Sequence, residues 1–497
     1  MRRFFLLLVV PVVAACGTRG TLFDEALRPL PLLATKSAVV QVVPQTNRAV
    51  VITPGEAPRA LRLSKGARAG SVVPASDVVA VLTGSAKAPR LDVVDVRSGE
   101  VQTVETPGSF DTITWSADGK LGVLSYQAAA GTGQLAARNL NEVGLLSLPA
   151  LSVQRLQLDT ESLAPRSVLF APKEPNRQLV AVVLERGVSL FDALHPEVAP
   201  RRIAIRPQGS AADVTVAKAR FSRDARWLFL RATGLDDVVV VEVGPEVGSP
   251  LSASLNFVSG GLGLADIEVP PPGFEDSVLA VFAASRDAYL LDARGIVDNN
   301  KRLVLATALD SVAVLSGTRV LLWASGGAAV AAWDVSDGRS GSVQLDGASP
   351  GPVVLPQLDK AIFPLASVTG SGGPALSSLT VVEDTNRLRF RVQGVQLAKT
   401  FGASALDSGA QRLFFTGTQG SAVVTMDLRT LALAEVTLDA PALRLLYVPD
   451  GDWLVAEHWG AYGDATAFPA GTTERSGARH YADFALTGDL DRAEEPR

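Results

Sequence analysis

The sequence predicts an all-β protein, a β-propeller of about eight four-stranded blades, and three observations carry this. Short apolar runs rich in Val and Leu alternate with polar turns along most of the chain. One hairpin pattern recurs. A strand ending in an acidic residue returns at a spacing of about 47 residues.

Each observation has a physical reason. Apolar residues make up 47% of the 497-residue chain, enough for a sizeable core. The branched Cβ of Val suits a pleated surface. The 44 Gly and 30 Pro fall between apolar runs, where turns need them. The hairpin is clearest at 113–124, where Trp115-Ser116-Ala117-Asp118-Gly119 leads into Leu121-Gly122-Val123-Leu124. It returns at 219–230, with Phe221-Ser222-Arg223-Asp224, and at 445–456, with Pro449-Asp450-Gly451-Asp452. Asp-Gly supports a tight turn, because Gly accepts positive φ and Asp can bond its own backbone. Looser copies occur at 168–183, 311–322 and 404–415.

The acidic markers are Asp95, Asp192, Glu242, Asp292, Asp334, Glu383 and Asp427. The first interval is about twice the others, and the apolar segment 144–148 fills it without an acid. A carboxylate at a strand end can accept N–H groups of the next turn, so these acids read as turn caps. A ring of acids lining a channel is the functional alternative. A four-stranded unit cannot bury both faces alone. Radial stacking buries them, and closing the ring protects the edges. The ends, 37–64 and 441–486, are expected to combine into one closing blade, for a total of eight to nine. Two smaller tandem rings are the alternative, but the glycine-rich stretches at 259–261 and 370–374 read as loops, not linkers.

The Trp-Ser-x-Asp-Gly hairpin and the Trp333-Asp334 pair resemble the WD40-like, YVTN-like and TolB-like repeats of bacterial propellers. The resemblance covers roughly residues 70–440 and lacks the Gly-His dipeptide of true WD40 repeats. It implies architecture alone, since these families share no activity.

The start of the chain carries an address. Arg2 and Arg3 precede an apolar run from Phe4 that ends in Val13-Ala14-Ala15-Cys16. This is the layout of a secretory signal peptide, and the run is too short to span a bilayer. The tetrapeptide resembles the bacterial lipobox. That resemblance implies cleavage before Cys16, acylation of its thiol and a place in the cell envelope. Gly17, in place of aspartate, implies the outer membrane. The expected organisation is a signal peptide at 1–15, a lipidated tether at 16–36, a propeller at 37–488 and a charged, disordered tail at 489–497. The tether carries one apolar patch, Leu30-Pro31-Leu32-Leu33.

Charge and cysteine usage narrow the function. The formal charge is −5, and loss of Arg2 and Arg3 makes the mature chain more acidic. Nucleic acid demands a basic face, so it is not an expected partner. Cys16 is the only cysteine, which excludes an intrachain disulfide.

Candidate sites are few. Of three histidines, His195 lies in a turn, while His458 and His480 share the last unit with Glu457, Asp464 and Asp483. Two His and a carboxylate could bind a metal, but the spacing matches no motif. The expectation is no metal and no cofactor. Asp450-Gly451-Asp452 and Gly488-Asp489-Leu490-Asp491 lack the alternating acids of a calcium loop. Gly347-Ala348-Ser349-Pro350-Gly351 fits the letters of a nucleophile elbow, yet Pro350, Gly351 and Pro352 oppose the helix such an elbow needs. No catalytic residue is assigned. Five of the six tryptophans sit at strand ends and read as core. Trp459 is the expected exposed one, and the loop of Glu457, His458, Trp459 and Tyr462 is the candidate ligand contact. The leading expectation is a lipid-anchored envelope scaffold that binds a protein or a glycan. The alternatives are a propeller enzyme of lactonase or quinoprotein type, and a purely structural envelope component.

Overall fold

The structure is a computed structural model. It describes residues 27–126, 140–158, 165–205, 214–247, 251–366, 368, 373–383, 387–407, 409, 411–472 and 477–487. The signal segment, Cys16 and the tail from 488 lie outside these residues.

Among the described residues the strands form ten four-stranded sheets, each an antiparallel meander of consecutive strands. In chain order the blades cover 33–62, 69–105, 112–157, 167–204, 215–258, 264–304, 311–349, 353–396, 401–437 and 442–482, and are numbered 1 to 10. Among the described residues helix is limited to single 3-10 turns such as Phe484–Leu486. First strands adjoin one another between most neighbouring blades, with Leu33–Ala34 of blade 1 beside both Ala69–Val72 of blade 2 and Ala442–Val448 of blade 10, and blades 8 and 9 share a core that includes Ile362, Leu376, Leu413 and Met426. The ring is therefore closed.

The count of eight to nine is overturned. Segments 37–64 and 441–486 do not share a blade. Each belongs to a complete sheet of its own. The first strand of blade 1 is only two residues, Leu33–Ala34, inside the stretch read as tether. It pairs Leu33 with Val40 and Ala34 with Val39. Two residues show no alternation, so the sequence pattern could not reveal the strand.

Joining the ends by packing buries a continuous core. Leu32, Val39, Val50 and Ile52 of the blade 1 region meet Val455, Ala465, Tyr481 and Phe484. Burying a side chain of this size contributes about 1.5–3 kcal/mol. Polar contacts add direction. Arg444 Nη2 donates to Leu32 O at 3.0 Å. Arg48 Nη1 donates to Thr487 O at 3.0 Å. The Gly55 N–H donates to the Tyr481 hydroxyl at 3.1 Å.

Both repeated motifs have clear structural roles. Ser116 Oγ donates to Asp118 Oδ1 at 2.8 Å and accepts the Leu121 N–H at 3.0 Å. The copy in blade 5 repeats this, with Ser222 Oγ 2.5 Å from Asp224 Oδ1 and accepting the Trp227 N–H at 2.9 Å. The acids close third strands and cap the next turn. Asp292 accepts the Arg294 N–H at 2.8 Å, Asp334 the Ser336 N–H at 2.9 Å and Asp427 the Thr430 N–H at 2.7 Å. They sit two strands out from the innermost one, so they do not line the channel.

The meander defines two faces. Turns between first and second strands, and between third and fourth, lie on one, called here the turn face. Turns between second and third strands lie on the other, together with the links between blades; this is the linker face.

Candidate binding faces

The last blade holds the sequence-predicted site residues. Its second strand is Trp453–His458, its third Asp464–Pro469 and its fourth Arg479–Ala482. Pairing places His458 opposite Asp464, and Thr466 opposite His480. The two imidazoles, distant in sequence, come to 6.2 Å between ring centroids. His458 Nδ1 lies 3.0 Å from Pro441 O. A carbonyl only accepts, so Nδ1 carries the proton. Nε2 then accepts from the Thr466 hydroxyl at 2.9 Å. Thr466 Oγ1 in turn lies 3.3 Å from His480 Nδ1. Asp464 Oδ1 is buried and without a hydrogen bond, 3.3 Å from His480 Nε2. The facing nitrogens of both rings are thus engaged with Thr466. Among the described residues no group of three or more His, Cys, Asp or Glu is arranged to hold a metal ion.

The candidate loop divides. Glu457 is buried and accepts from Arg444 Nε at 2.7 Å. His458 is buried as described. Tyr462 is half-buried against the closing core, and its carbonyl accepts the Ala485 N–H at 2.8 Å. Trp459 alone projects, 78% exposed, on the linker face.

The remaining candidates have local partners. His195 Nδ1 lies 3.3 Å from Glu197 Oε1 in a turn. Asp452 accepts from Arg412 Nη1 at 3.1 Å and from the Tyr447 hydroxyl at 2.9 Å. Arg412 holds Asp452 below the usual carboxylate range. Burial and the bond to Asp452 push Tyr447 up to about 12. Ser349 ends the strand Ser340–Ser349, is buried and accepts the Gly351 N–H at 3.2 Å. A strand, Val353–Leu355, follows it. Trp227 and Trp333 are core. Gly488-Asp489-Leu490-Asp491 lies outside the described residues, as does Cys16.

Three features escaped the sequence because pairing between strands or blades creates them. On the innermost strands, Lys218 Nζ of blade 5 lies 2.8 Å from Asp266 and 3.2 Å from Glu268 of blade 6, and Arg220 Nε lies 3.2 Å from Glu268. At the linker-face end of blade 1, Arg48 pairs opposite Arg62. With Lys65, Thr46 and Asn47 they line a cleft of about 400 Å³ that has no carboxylate in its wall. On the turn face, the third-to-fourth turns of blades 4, 5 and 6 raise aliphatic tips. Leu194, Val247, Ile296 and Val297 are exposed there, Val297 to 76%. Elsewhere on this face, at the end of a third-to-fourth turn, Leu433 of blade 9 is exposed as well.

Comparison with known proteins assigns no family and no activity. No protein-family model matches the chain. No curated protein matches it either. Many solved structures do. The dihydro-heme d1 dehydrogenase NirN is 12% identical, with a TM-score of 0.44 and 76% of each chain covered. A putative 6-phosphogluconolactonase from Bacteroides fragilis is 12% identical, with a TM-score of 0.34, covering 73% of this chain and 96% of that one. A β-propeller domain from Myceliophteria thermophila is 8% identical, with a TM-score of 0.34, covering 80% and 95%. The chain is a β-propeller. At these identities no activity transfers with the fold.

Proposed function

We propose that this protein is a lipid-anchored scaffold of the bacterial cell envelope, with the outer membrane as its site, and that it holds a protein partner on its turn face. One observation carries the partner reading: the row of exposed aliphatic tips on three successive blades, Leu194, Val247, Ile296 and Val297. Exposed apolar groups gathered in one region mark interaction surfaces. The tips are aliphatic and offer no ring for a sugar to stack on, which favours protein over glycan. The tip-bearing turn of blade 6 is tied down: Arg294 Nη2 lies 3.1 Å from Asp292, which also accepts from the Asn299 side-chain amide at 2.7 Å. A rigid surface loses less entropy when it binds. The anchor reading rests on Val13-Ala14-Ala15-Cys16 after a short apolar run. Stable anchoring needs more than one acyl chain, which a triacylated cysteine supplies.

Photo-crosslinking in intact cells tests the partner. A photoreactive residue at 194, 247 or 297 should give one shared adduct, and one at Ser98, on the same face of blade 2, should not. Equal labelling at Ser98, or none at the three tips, sinks the proposal. Palmitate labelling tests the anchor: Cys16→Ser should abolish it, and label persisting in the variant would overturn the lipoprotein reading.

A further inference from the structure

We infer that the linker face of blades 1 and 10 lies against an anionic phospholipid surface, with Trp459 in the interface and Arg62 and Lys65 on lipid phosphates. The inference rests on the lipid anchor proposed above and adds the orientation of the disc.

Three observations meet on this face. The first is where the chain enters the ring. Leu27 and Leu32 are buried, at 5% and 2% exposure, and the Leu30 N–H donates to Val42 O at 2.8 Å. Val42 is next to the last residue of the second strand, Val39–Val43, which ends on the linker face. The tether therefore leaves blade 1 on that side. Residues 17–26 reach at most ~35 Å when fully extended. With the linker face down, little of that reach is used. To put the turn face down, the tether would have to run past the depth of a blade, ~17 Å for a five-residue strand, and round the rim as well.

The second observation is Trp459, in the neighbouring blade 10 and 78% exposed. A ring with an apolar body and one N–H is the side chain best suited to the headgroup layer. Of the nearby carboxylates, Glu457 and Asp464 are turned toward Arg444 and His480, and Asp483 stays exposed just past the fourth strand.

The third is charge. Arg62 and Lys65 are exposed at the rim of the cleft in blade 1, and Arg28, beside the chain entry, is exposed too. Arg48, in the cleft wall, is committed to Thr487 O. The mature chain is acidic overall, so a cleft without a carboxylate is a local departure. Cations near an anionic membrane each strengthen association about fivefold.

The test uses the lipidated full chain in vesicles of phosphatidylglycerol and brominated phosphatidylcholine. Brominated lipid should quench part of the tryptophan emission, and Trp459→Phe should lose that part. Arg62→Gln with Lys65→Gln should weaken seating by about fivefold per charge, read as reduced quenching. Omitting phosphatidylglycerol should do the same to the wild type. A control tryptophan on the opposite face, Val297→Trp in the Trp459→Phe background, should stay unquenched. Two results overturn the orientation: flotation with the vesicles while wild type and Trp459→Phe quench alike, or quenching of the Val297→Trp probe. Absence of both palmitate and flotation overturns the anchor, and this inference with it. Trp459 is exposed, so its replacement leaves the core intact.

Discussion

Arg97 of blade 2 is ion-paired with Asp450 of blade 10, joining two blades that are not neighbours in the ring. The contact spans blade 1, whose turn at 35–38 is short. Arg97 Nε also lies 2.6 Å from Asp77, which accepts the Ser37 N–H at 2.8 Å and the Ser37 hydroxyl at 2.9 Å. Lys36 completes the seam: its N–H donates to Ser76 O at 3.2 Å and its carbonyl accepts the Asp450 N–H at 2.7 Å. The closing joint is thus clamped from above by residues of both adjacent blades.

This arrangement predicts unequal losses. The Arg97 side chain is 61% exposed, so Arg97→Ala should cost about 1 kcal/mol or less. The Asp77 side chain is only 10% exposed, and Asp77→Ala leaves the Ser37 donors unpaired, at about 1–3 kcal/mol. Chemical denaturation of the two variants checks the order. Arg97→Ala proving the more damaging would contradict it.

Deleting residues 27–64 removes the whole of blade 1. Val79, Val81 and Val94 of blade 2 pack on that blade from one side, and Val455 and Tyr481 of blade 10 from the other. Both groups would become exposed, along with two sheet faces. The variant should aggregate or melt far below the intact protein. Deleting 17–26, which the sequence reads as tether, should leave the melt unchanged. Gel filtration and thermal melts decide. A soluble monomer with an unshifted melt after the larger deletion would show that closure adds no stability.

Acid should unfold the ring through its turn carboxylates. The Asp118 bond to Lys173, helped by the Ser116 hydroxyl and the Lys120 N–H, lowers its pKa to about 2. An unfolded Asp titrates near ~3.9. The stability Asp118 contributes is therefore present above about pH 4 and is lost as pH falls toward 2. Asp334 and Asp427 are shifted the same way by the hydrogen bonds of their own turns. Urea midpoints of the wild type should drop below pH 4, and those of Asp118→Asn should drop less. Identical pH slopes would exclude the role given to Asp118.

Two glycines separate backbone strain from crowding. Gly84 has φ +80°, and a Cβ there would lie 2.2 Å from Ala88 O and 2.9 Å from Arg90 N. Gly338 has φ +81° and nothing within 4 Å of a Cβ. Gly338→Ala should cost about 1–2 kcal/mol, the left-handed penalty alone. Gly84→Ala should cost distinctly more, because the obstructing atoms are backbone. Denaturation midpoints compare them, and equal losses would mean the hairpin at 84–90 relaxes freely.

The Ser116-x-Asp118-Gly119 turn was legible because its chemistry lies within five residues. Ala225 stands at the equivalent position with φ +59°, so the motif survives the loss of its glycine, and the repeat was still recognisable. Trp459, followed by Gly460 in a polar loop, is exposed as its sequence context implies. Its companions Glu457 and His458 were not separable from it, since only the partners Arg444, Pro441 and Thr466 reveal that they are committed inward.

All-β character, the four-stranded repeat and the acid-capped third strands were determined by the sequence alone, because each rests on alternation or on bonds between near neighbours. The number of blades was decided by tertiary structure. Leu33–Ala34 becomes a strand only by pairing with Val39 and Val40, and blade 1 is complete only when blade 10 covers its core. The cationic cleft at Arg48 and Arg62 and the apolar tips from Leu194 to Val297 likewise exist only after folding. Strand pairing and ring closure bring together side chains that the sequence leaves far apart, and burial then selects which of them face solvent.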